Sequence, residues 1–209
     1  MTTIYLVRHG ATEWNDTKRA QGQADIELNE AGFAQAQRAA ADLSHIELVA
    51  VYSSDLKRAV ETARAIADAQ GLKVTTDRDL REIDQGEWEG LTVEEIARRW
   101  PDRWGEARHY TTRPGGESPQ QVRTRALDAI ARIVEANPEG NVVVVSHGGT
   151  IRWIAAEALG YDDRRSARIR GLGNGQMISI EATLDNGRLR LGDLTRLDGD
   201  SPDLDDPND

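Results

Sequence analysis

The chain has 209 residues, a net charge of −10 at neutral pH, 30% charged residues and no cysteine. That length suits one domain with a full core, and the acidic balance argues against nucleic acid as a partner. Disulfides and thiolate metal sites are excluded, and no run is long and apolar enough to span a membrane.

The chain opens almost at once on a buried-strand pattern, Ile4-Tyr5-Leu6-Val7, which runs into Arg8-His9-Gly10. This leaves no room for a signal peptide and points to the cytoplasm. A polar loop follows, with Asn15 and Gln21-Gly22. A helix is predicted over Leu28–Leu43, with Phe33, Ala36, Ala40 and Leu43 at helical spacing. Leu48–Tyr52 reads as a strand. Ser53-Ser54-Asp55 is expected to cap the next helix, which carries Arg58 in its first turn and a stripe of Leu56, Ala59, Val60, Ala63 and Ile66-Ala67. Gly71 ends that helix.

Leu72–Thr75 is a short strand, and a loop then presents Arg81-Glu82-Ile83 and Gly86-Glu87-Trp88-Glu89-Gly90. Thr92 and Glu95 match a capping box, and Pro101 breaks the helix they start. Trp100, Trp104, His109 and Tyr110 lie in an irregular stretch, as a lid over a site or as core filling. Ser118, Pro119 and Gln121 open another helix, whose buried face is Val122, Ala126, Ala129, Ile130, Ile133 and Val134. Asn141–Val145 is a second aliphatic strand, ending in Ser146-His147-Gly148-Gly149. Thr150–Leu159 reads as helix. Two strands joined through Asn186-Gly187 close the chain.

Strands alternate with helices, so the expected fold is a single-domain, three-layer α/β/α unit over residues 1–197 with a mostly parallel sheet. Residues 198–209 hold six Asp, no Lys and no Arg, and read as a disordered acidic tail.

In such folds chemistry collects past the carboxyl ends of the strands. Two aliphatic strands, far apart in sequence, both end in His-Gly, which places two imidazoles at one edge of one sheet. Arg8, His9, Arg58, Glu82 and His147 all fall past strand ends, and two guanidiniums with two imidazoles make a cationic cup suited to a phosphate dianion. Competing chemistries lack their motifs. There is no G-x-G-x-x-G or G-x-x-x-x-G-K-[ST], no G-x-S-x-G around Ser146, and no H-E-x-x-H for a metal. From the residues alone, Asp84 or Glu87 competes with Glu82 for the role of acid. The cluster Arg164, Arg165, Arg168 and Arg170 reads as a solvated helix face, a subunit contact or a second anion site. Trp14 and Trp88 read as pocket wall or packing.

The ordered set Leu6-Val7-Arg8-His9-Gly10-Ala11-Thr12-Glu13-Trp14-Asn15, Gln21-Gly22, Ser53–Ala59, Arg81-Glu82-Ile83, Gly86–Leu91, Gly115-Gly116-Glu117-Ser118 and Ser146-His147-Gly148-Gly149 resembles the histidine phosphatase superfamily, the phosphoglycerate-mutase-like fold, from Ile4 to about Leu159. The resemblance implies a catalytic set of His9, Glu82, His147, Arg8 and Arg58. His9 would be the nucleophile that forms a phosphohistidine, Glu82 the acid and base, and Arg8, Arg58 and His147 the holders of the phosphoryl oxygens. Asn15, Gln21, Gly22 and Gly148 would contact substrate. No metal or other cofactor is implied.

Members of the mutase branch carry a long insertion before the final His strand and H-G-N after it. Here the span Gly90–Gly115 is short and the motif is His147-Gly148-Gly149-Thr150, which favours a phosphatase. The implied substrate is a small phosphorylated metabolite, a sugar-acid or sugar-like phosphate such as glucosyl-phosphoglycerate or α-ribazole phosphate. A phosphoglycerate mutase is the alternative. A non-catalytic binding module of this fold would typically lack His9 or Glu82, and both are present. Neither nucleic acid nor membrane is expected as a partner, and a homodimer is the base-rate expectation.

Overall fold

In the computed structural model, residues 1–166 and 169–197 are described, Glu106 without its side chain. The acidic tail and Arg168 lie outside the described residues.

The layering follows from the period of two along the central strands. In β1 (Thr2–Arg8), Ile4 and Leu6 face one side and pack with α5 (Pro119–Ala136) and α6 (Gly148–Ala158). Val7 faces the other side, against α2 (Glu30–Asp42) and α3 (Lys57–Ala69). β4 (Gly140–Ser146) splits the same way, with Val142 and Val144 on the first side and Val143 and Val145 on the second. A strand apolar on both faces needs cover on both, and the result is the expected three-layer α/β/α unit.

β2 (Leu48–Ser53) and β3 (Val74–Thr76) complete the parallel part of the sheet. β5 (Met177–Asp185) runs antiparallel to β1, and β6 (Arg188–Arg196) antiparallel to β5. The order is β3-β2-β4-β1-β5-β6. Asn186 and Gly187 take φ of 50° and 76°, as the expected hairpin requires. No described helix is long and apolar enough to cross a membrane.

Two capping boxes form where the sequence places them. Thr92 with Glu95 opens α4 (Val93–Arg99), and Ser118 with Gln121 opens α5, with Pro119 at its first position. Each such cap stabilises its helix by about 1 kcal/mol. The start of α3 differs from expectation. Its N-cap is Leu56, which makes no side-chain cap; instead Asp25, from a distant loop, accepts the Lys57 N–H at 2.7 Å. Phe33 also departs from its predicted place. It is 50% exposed, because α2 turns Gly32, Ala36, Ala39 and Ala40 inward. Gly32 is there for close approach: a Cβ on it would collide with the Ala11 carbonyl, and one on Gly10 would collide with the Gly32 carbonyl. These two glycines let α2 press on the loop that follows β1.

Candidate active site

β1 and β4 are adjacent, parallel and in register, with Arg8 opposite Ser146. They therefore end at one level, and the next residue of each is a histidine. His9 donates its backbone N–H to the Ser146 carbonyl at 3.0 Å. The two imidazole centroids lie 5.1 Å apart, tilted by 59°. The sheet edge thus holds the two imidazoles that the repeated His-Gly motif predicts.

His9 is buried, and its Nδ1 lies 2.7 Å from the Gly10 carbonyl. A carbonyl only accepts, so Nδ1 carries the proton and Nε2 keeps a free lone pair. The loop is fixed from below by Thr62, whose hydroxyl accepts the Gly10 N–H at 3.0 Å. Burial first, then the Arg58 and Arg8 guanidiniums, holds the His9 imidazole well below the usual histidine range. His147 is fully buried as the N-cap of α6. Burial, then Arg58, then His9, depresses it likewise. Both rings are neutral, and only His9 has an oriented nitrogen; neither nitrogen of His147 has a partner among the described residues.

Arg58, in the first turn of α3, is 0% exposed. Its Nη1 donates to the Ala24 carbonyl at 2.7 Å and its Nη2 to the Gly22 carbonyl at 2.8 Å. Burial lowers it to about 10, so it remains a cation at neutral pH. Gly22 therefore orients Arg58 through its own backbone, at φ of 51°. Arg8 donates to the Leu172 carbonyl, and its Nε lies 3.4 Å from where a Cβ on Gly148 would be. Asn15 is held by the capping box of α1 (Glu13–Asp16), its Oδ1 accepting the Thr12 N–H at 3.1 Å. Gln21 is 9% exposed, and its buried Oε1 has no partner among the described residues.

The Glu82 carboxylate sits at the start of α6. Its Oε2 accepts the Gly149 N–H and its Oε1 the Ile83 N–H, both at 3.0 Å. A Cβ on Gly149 would lie 2.5 Å from Oε1, so a side chain there and this carboxylate compete for one space. Of the three acids left open by the residues, Glu82 is the one that reaches the start of α6, at Gly149, two residues past His147. Asp84 Oδ1 accepts the Gly86 N–H, and Glu87 is exposed. Sequence reasoning missed the group that holds this loop, Arg125 on α5. Its guanidinium donates to the carbonyls of Asp79, Arg81 and Glu82 at 2.8, 2.6 and 2.9 Å, and pairs with both oxygens of Glu117. Glu117 in turn accepts the Asp84 N–H at 2.9 Å. Its place on the helix face flanking Ala126 was readable, but not what it would meet.

Beyond Glu82 opens a cavity of about 330 Å³, whose lining includes Asn15, Glu82, Gly149, Trp104, His109 and Arg152. The irregular stretch expected as lid or core filling serves both ends. Trp100 and Trp104 pack on buried Trp88 with centroids at 6.2 and 5.6 Å, while Trp104, Arg108 and His109 also line the cavity. Trp14 and Trp88 line it too. Arg113 and Arg152 join this lining without any local sequence signal. Arg164, Arg165 and Arg170 do not line it; Arg165 stacks on the Tyr161 ring at 3.8 Å. A larger hollow, about 800 Å³ around Arg38, His45 and Gln176, contains none of the predicted catalytic side chains. Of the five predicted catalytic residues, the smaller cavity's lining includes Glu82 but not Arg8, His9, Arg58 or His147, so it meets the catalytic cluster through that one carboxyl.

An oriented neutral imidazole, a buried and a partly buried guanidinium, a second imidazole and a nearby carboxyl can together accept a phosphoryl group and transfer it to water. Comparison with known proteins agrees. Residues 4–194 match the family model of the histidine phosphatase superfamily, branch 1. The chain is 44% identical over 161 residues to phosphoglycerate mutase-like protein 4 of Arabidopsis thaliana, across 74% of this chain and 70% of that protein. It is 39% identical over 165 residues to phosphoserine phosphatase 1 of Hydrogenobacter thermophilus, across 78% of each. Among solved structures, mycobacterial glucosyl-3-phosphoglycerate phosphatase complexed with VO3 superposes with a TM-score of 0.82 at 35% identity, covering 90% of this chain and 96% of that one.

Proposed function

The chain belongs to the histidine phosphatase superfamily, and from that premise we propose that His9, Glu82, His147, Arg8 and Arg58 carry out phosphomonoester hydrolysis through a phosphohistidine. The enzyme is a phosphoric monoester hydrolase, and its likeness to a metal-independent phosphoserine phosphatase supports a reaction without metal. The observation that carries the assignment of roles is the His9–His147 pair, 5.1 Å apart, with His9 Nδ1 committed to the Gly10 carbonyl.

The ester's phosphorus meets the lone pair on His9 Nε2. The P–N bond forms as the P–O bond to the alcohol breaks, and protonated Glu82 gives its proton to the departing oxygen. Arg8, Arg58 and His147 hold the three equatorial oxygens and offset their growing charge. Water then takes the alcohol's place. Glu82, now a carboxylate, accepts a proton from it as its oxygen attacks phosphorus, and His9 leaves with the electron pair of the P–N bond. Phosphate is released and Glu82 is again protonated. Asn15, Gln21 and the backbone at Gly22 and Gly148 border the phosphoryl position, Gly22 chiefly by holding Arg58.

The cavity of about 330 Å³ is at the small end for ligand sites and fits a small phosphorylated metabolite, a sugar acid or sugar-like ester. Such esters are cytoplasmic metabolites, which is the location proposed here, and residues 1–197 form the catalytic unit. The test is a phosphorus NMR time course in EDTA with 3-phosphoglycerate, glucosyl-phosphoglycerate, α-ribazole phosphate and an aryl phosphate, primed with bisphosphoglycerate. Growth of inorganic phosphate from one donor supports the phosphatase. Appearance of 2-phosphoglycerate with no free phosphate would make the chain a mutase.

A further inference from the structure

Two groups of the proposed chemistry come from separate parts of the chain, and one side chain outside the catalytic set joins them. Arg58, on α3, is aimed by the carbonyls of Gly22 and Ala24. Glu82 lies on the loop after β3. Arg81 directly precedes it. The Arg81 Nε and Nη2 donate to the two carboxylate oxygens of Asp55 at 2.6 and 2.7 Å, a bidentate pair. Asp55 stands just ahead of α3, in the same stretch that leads to Arg58. The third donor, Arg81 Nη1, reaches Gln23 Oε1 at 3.1 Å. Gln23 lies between the two residues whose carbonyls hold Arg58, and its Nε2 donates to the Glu82 carbonyl at 3.4 Å.

The backbone of Arg81 is itself fixed. Its carbonyl accepts from Arg125 on α5 at 2.6 Å and from the Thr150 hydroxyl on α6 at 2.8 Å. The side chain carries that fixed point across to Gln23 and to the start of α3. The link is charged, since the hydrogen bond from Arg81 holds the Asp55 carboxyl below the usual carboxylate range. The two side chains are 23% and 26% exposed. An ion pair open to water adds little stability, so what this pair contributes is placement. Glu89 steadies the Gln23 loop separately, accepting the Gln23 and Ala24 N–H groups at 3.0 Å each. The loop therefore does not depend on Arg81 alone for its shape.

We propose that Arg81 is a positioning residue: through Asp55 and Gln23 it sets the distance between the Arg58 guanidinium, which holds phosphoryl oxygens, and the Glu82 carboxyl, which serves the leaving oxygen. The inference rests on the phosphatase reading of the site and adds a residue to it. An acid that must reach the ester oxygen while the phosphoryl group stays on Arg58 tolerates little play, because a displacement of about 1 Å can cost on the order of 10²-fold in rate.

The test compares Arg81→Gln with the unaltered enzyme, well below the melting midpoint of both. Three quantities are read: kcat for the best alkyl ester of the phosphorus NMR panel, kcat for para-nitrophenyl phosphate, and the calorimetric Kd of inorganic phosphate. The alkyl kcat should fall by about 10–100-fold. The aryl kcat should fall less, because its leaving group needs less of the acid. Phosphate should bind about 3–10-fold more weakly, the scale of one hydrogen bond. Arg81→Lys keeps the charge and one donor, and should recover part of each loss. Asp55→Asn should resemble Arg81→Gln, and the double variant should be no worse than either single one. If Arg81→Gln does not fold, Gln23→Leu removes the second arm alone and should give the same pattern at smaller size. A folded variant that keeps all three quantities within about twofold of the parent overturns the proposal and leaves the pair a structural brace. So does an equal loss on both esters with phosphate affinity unchanged. No phosphate released from any ester by the unaltered enzyme would instead sink the phosphatase reading, while phosphate binding would still report on the link to Arg58.

Discussion

His9 and His147 stand ring to ring at the end of two adjacent parallel strands, and their nitrogens differ in one respect: His9 Nδ1 is held by the Gly10 carbonyl, whereas neither His147 nitrogen has a partner among the described residues. The first geometry suits a nucleophile. The second suits a donor that meets the phosphoryl oxygens.

The two histidines should therefore fail differently. His9→Ala is expected to abolish turnover and to leave no phosphoenzyme when the protein is quenched at alkaline pH and examined by intact mass. His147→Ala is expected to slow turnover by roughly 10²–10³ while a phosphoenzyme still accumulates. Near-normal activity of His9→Ala would refute the mechanism.

The buried neutral histidines set a pH dependence. His9 and His147 are held well below the usual histidine range by burial and then Arg58, and His109 is lowered to about 3. In the unfolded chain all three protonate near about pH 6.5, so below that value the unfolded state binds more protons. Their contribution to stability is fully present above about pH 6.5 and is lost as pH falls toward the folded values. The thermal midpoint should drop between about pH 7 and about pH 5, and His109→Gln should flatten part of that slope. The acid limb of kcat/KM should lie below the ordinary histidine range, and Arg58→Gln should move it upward.

In the proposed mechanism Glu82 serves the leaving oxygen and then the water. Glu82→Gln should cost about 10²–10⁴ in kcat/KM for alkyl phosphates. An aryl phosphate with an acidic leaving group needs less protonation, so its phosphorylation step should suffer less, and phosphoenzyme should build up in a stopped-flow burst. Equal losses for both ester types would count against the acid role.

Gly149 offers a test of placement rather than of chemistry. A methyl group there would lie 2.5 Å from Glu82 Oε1, the mobile end of a side chain. Gly149→Ala should leave the melting temperature within a few degrees of the parent while lowering kcat by at least the tenfold scale of a misplaced acid. A fully active Gly149→Ala enzyme would show that the observed Glu82 position is not the catalytic one.

In the proposed mechanism Arg8, Arg58 and the two histidines supply the charge and hydrogen bonds that a phosphoryl group requires. Exhaustive chelation should leave kcat unchanged, and added divalent cations should not raise it. Reversible inactivation by EDTA would contradict this account.

Much of this was legible in the sequence because it is written in short-range terms. The unbroken apolar runs Ile4–Val7 and Val142–Val145 predict buried strands, and both were found. Thr92-Glu95 and Ser118-Gln121 cap their helices where expected, since a capping box closes within four residues. The paired His-Gly ends needed only that two strands share an edge.

Other features depend on groups that meet only after folding. The α3 start is capped by Asp25 across the fold rather than by its own Ser53–Asp55. Phe33 faces solvent because Gly32 must reach the backbone of Ala11, a contact that helical spacing does not encode.

By itself, then, the sequence determined the layered fold and the residues at the carboxyl edge of its sheet, because periodicity, caps and strand ends act over a few residues. Only the tertiary structure decided how Glu82 is aimed, through Arg125 and Gly149, and what shares its cavity. Arg108, Arg113 and Arg152 come from an irregular segment and a helix with no common local pattern, and long-range packing alone brings them into one lining.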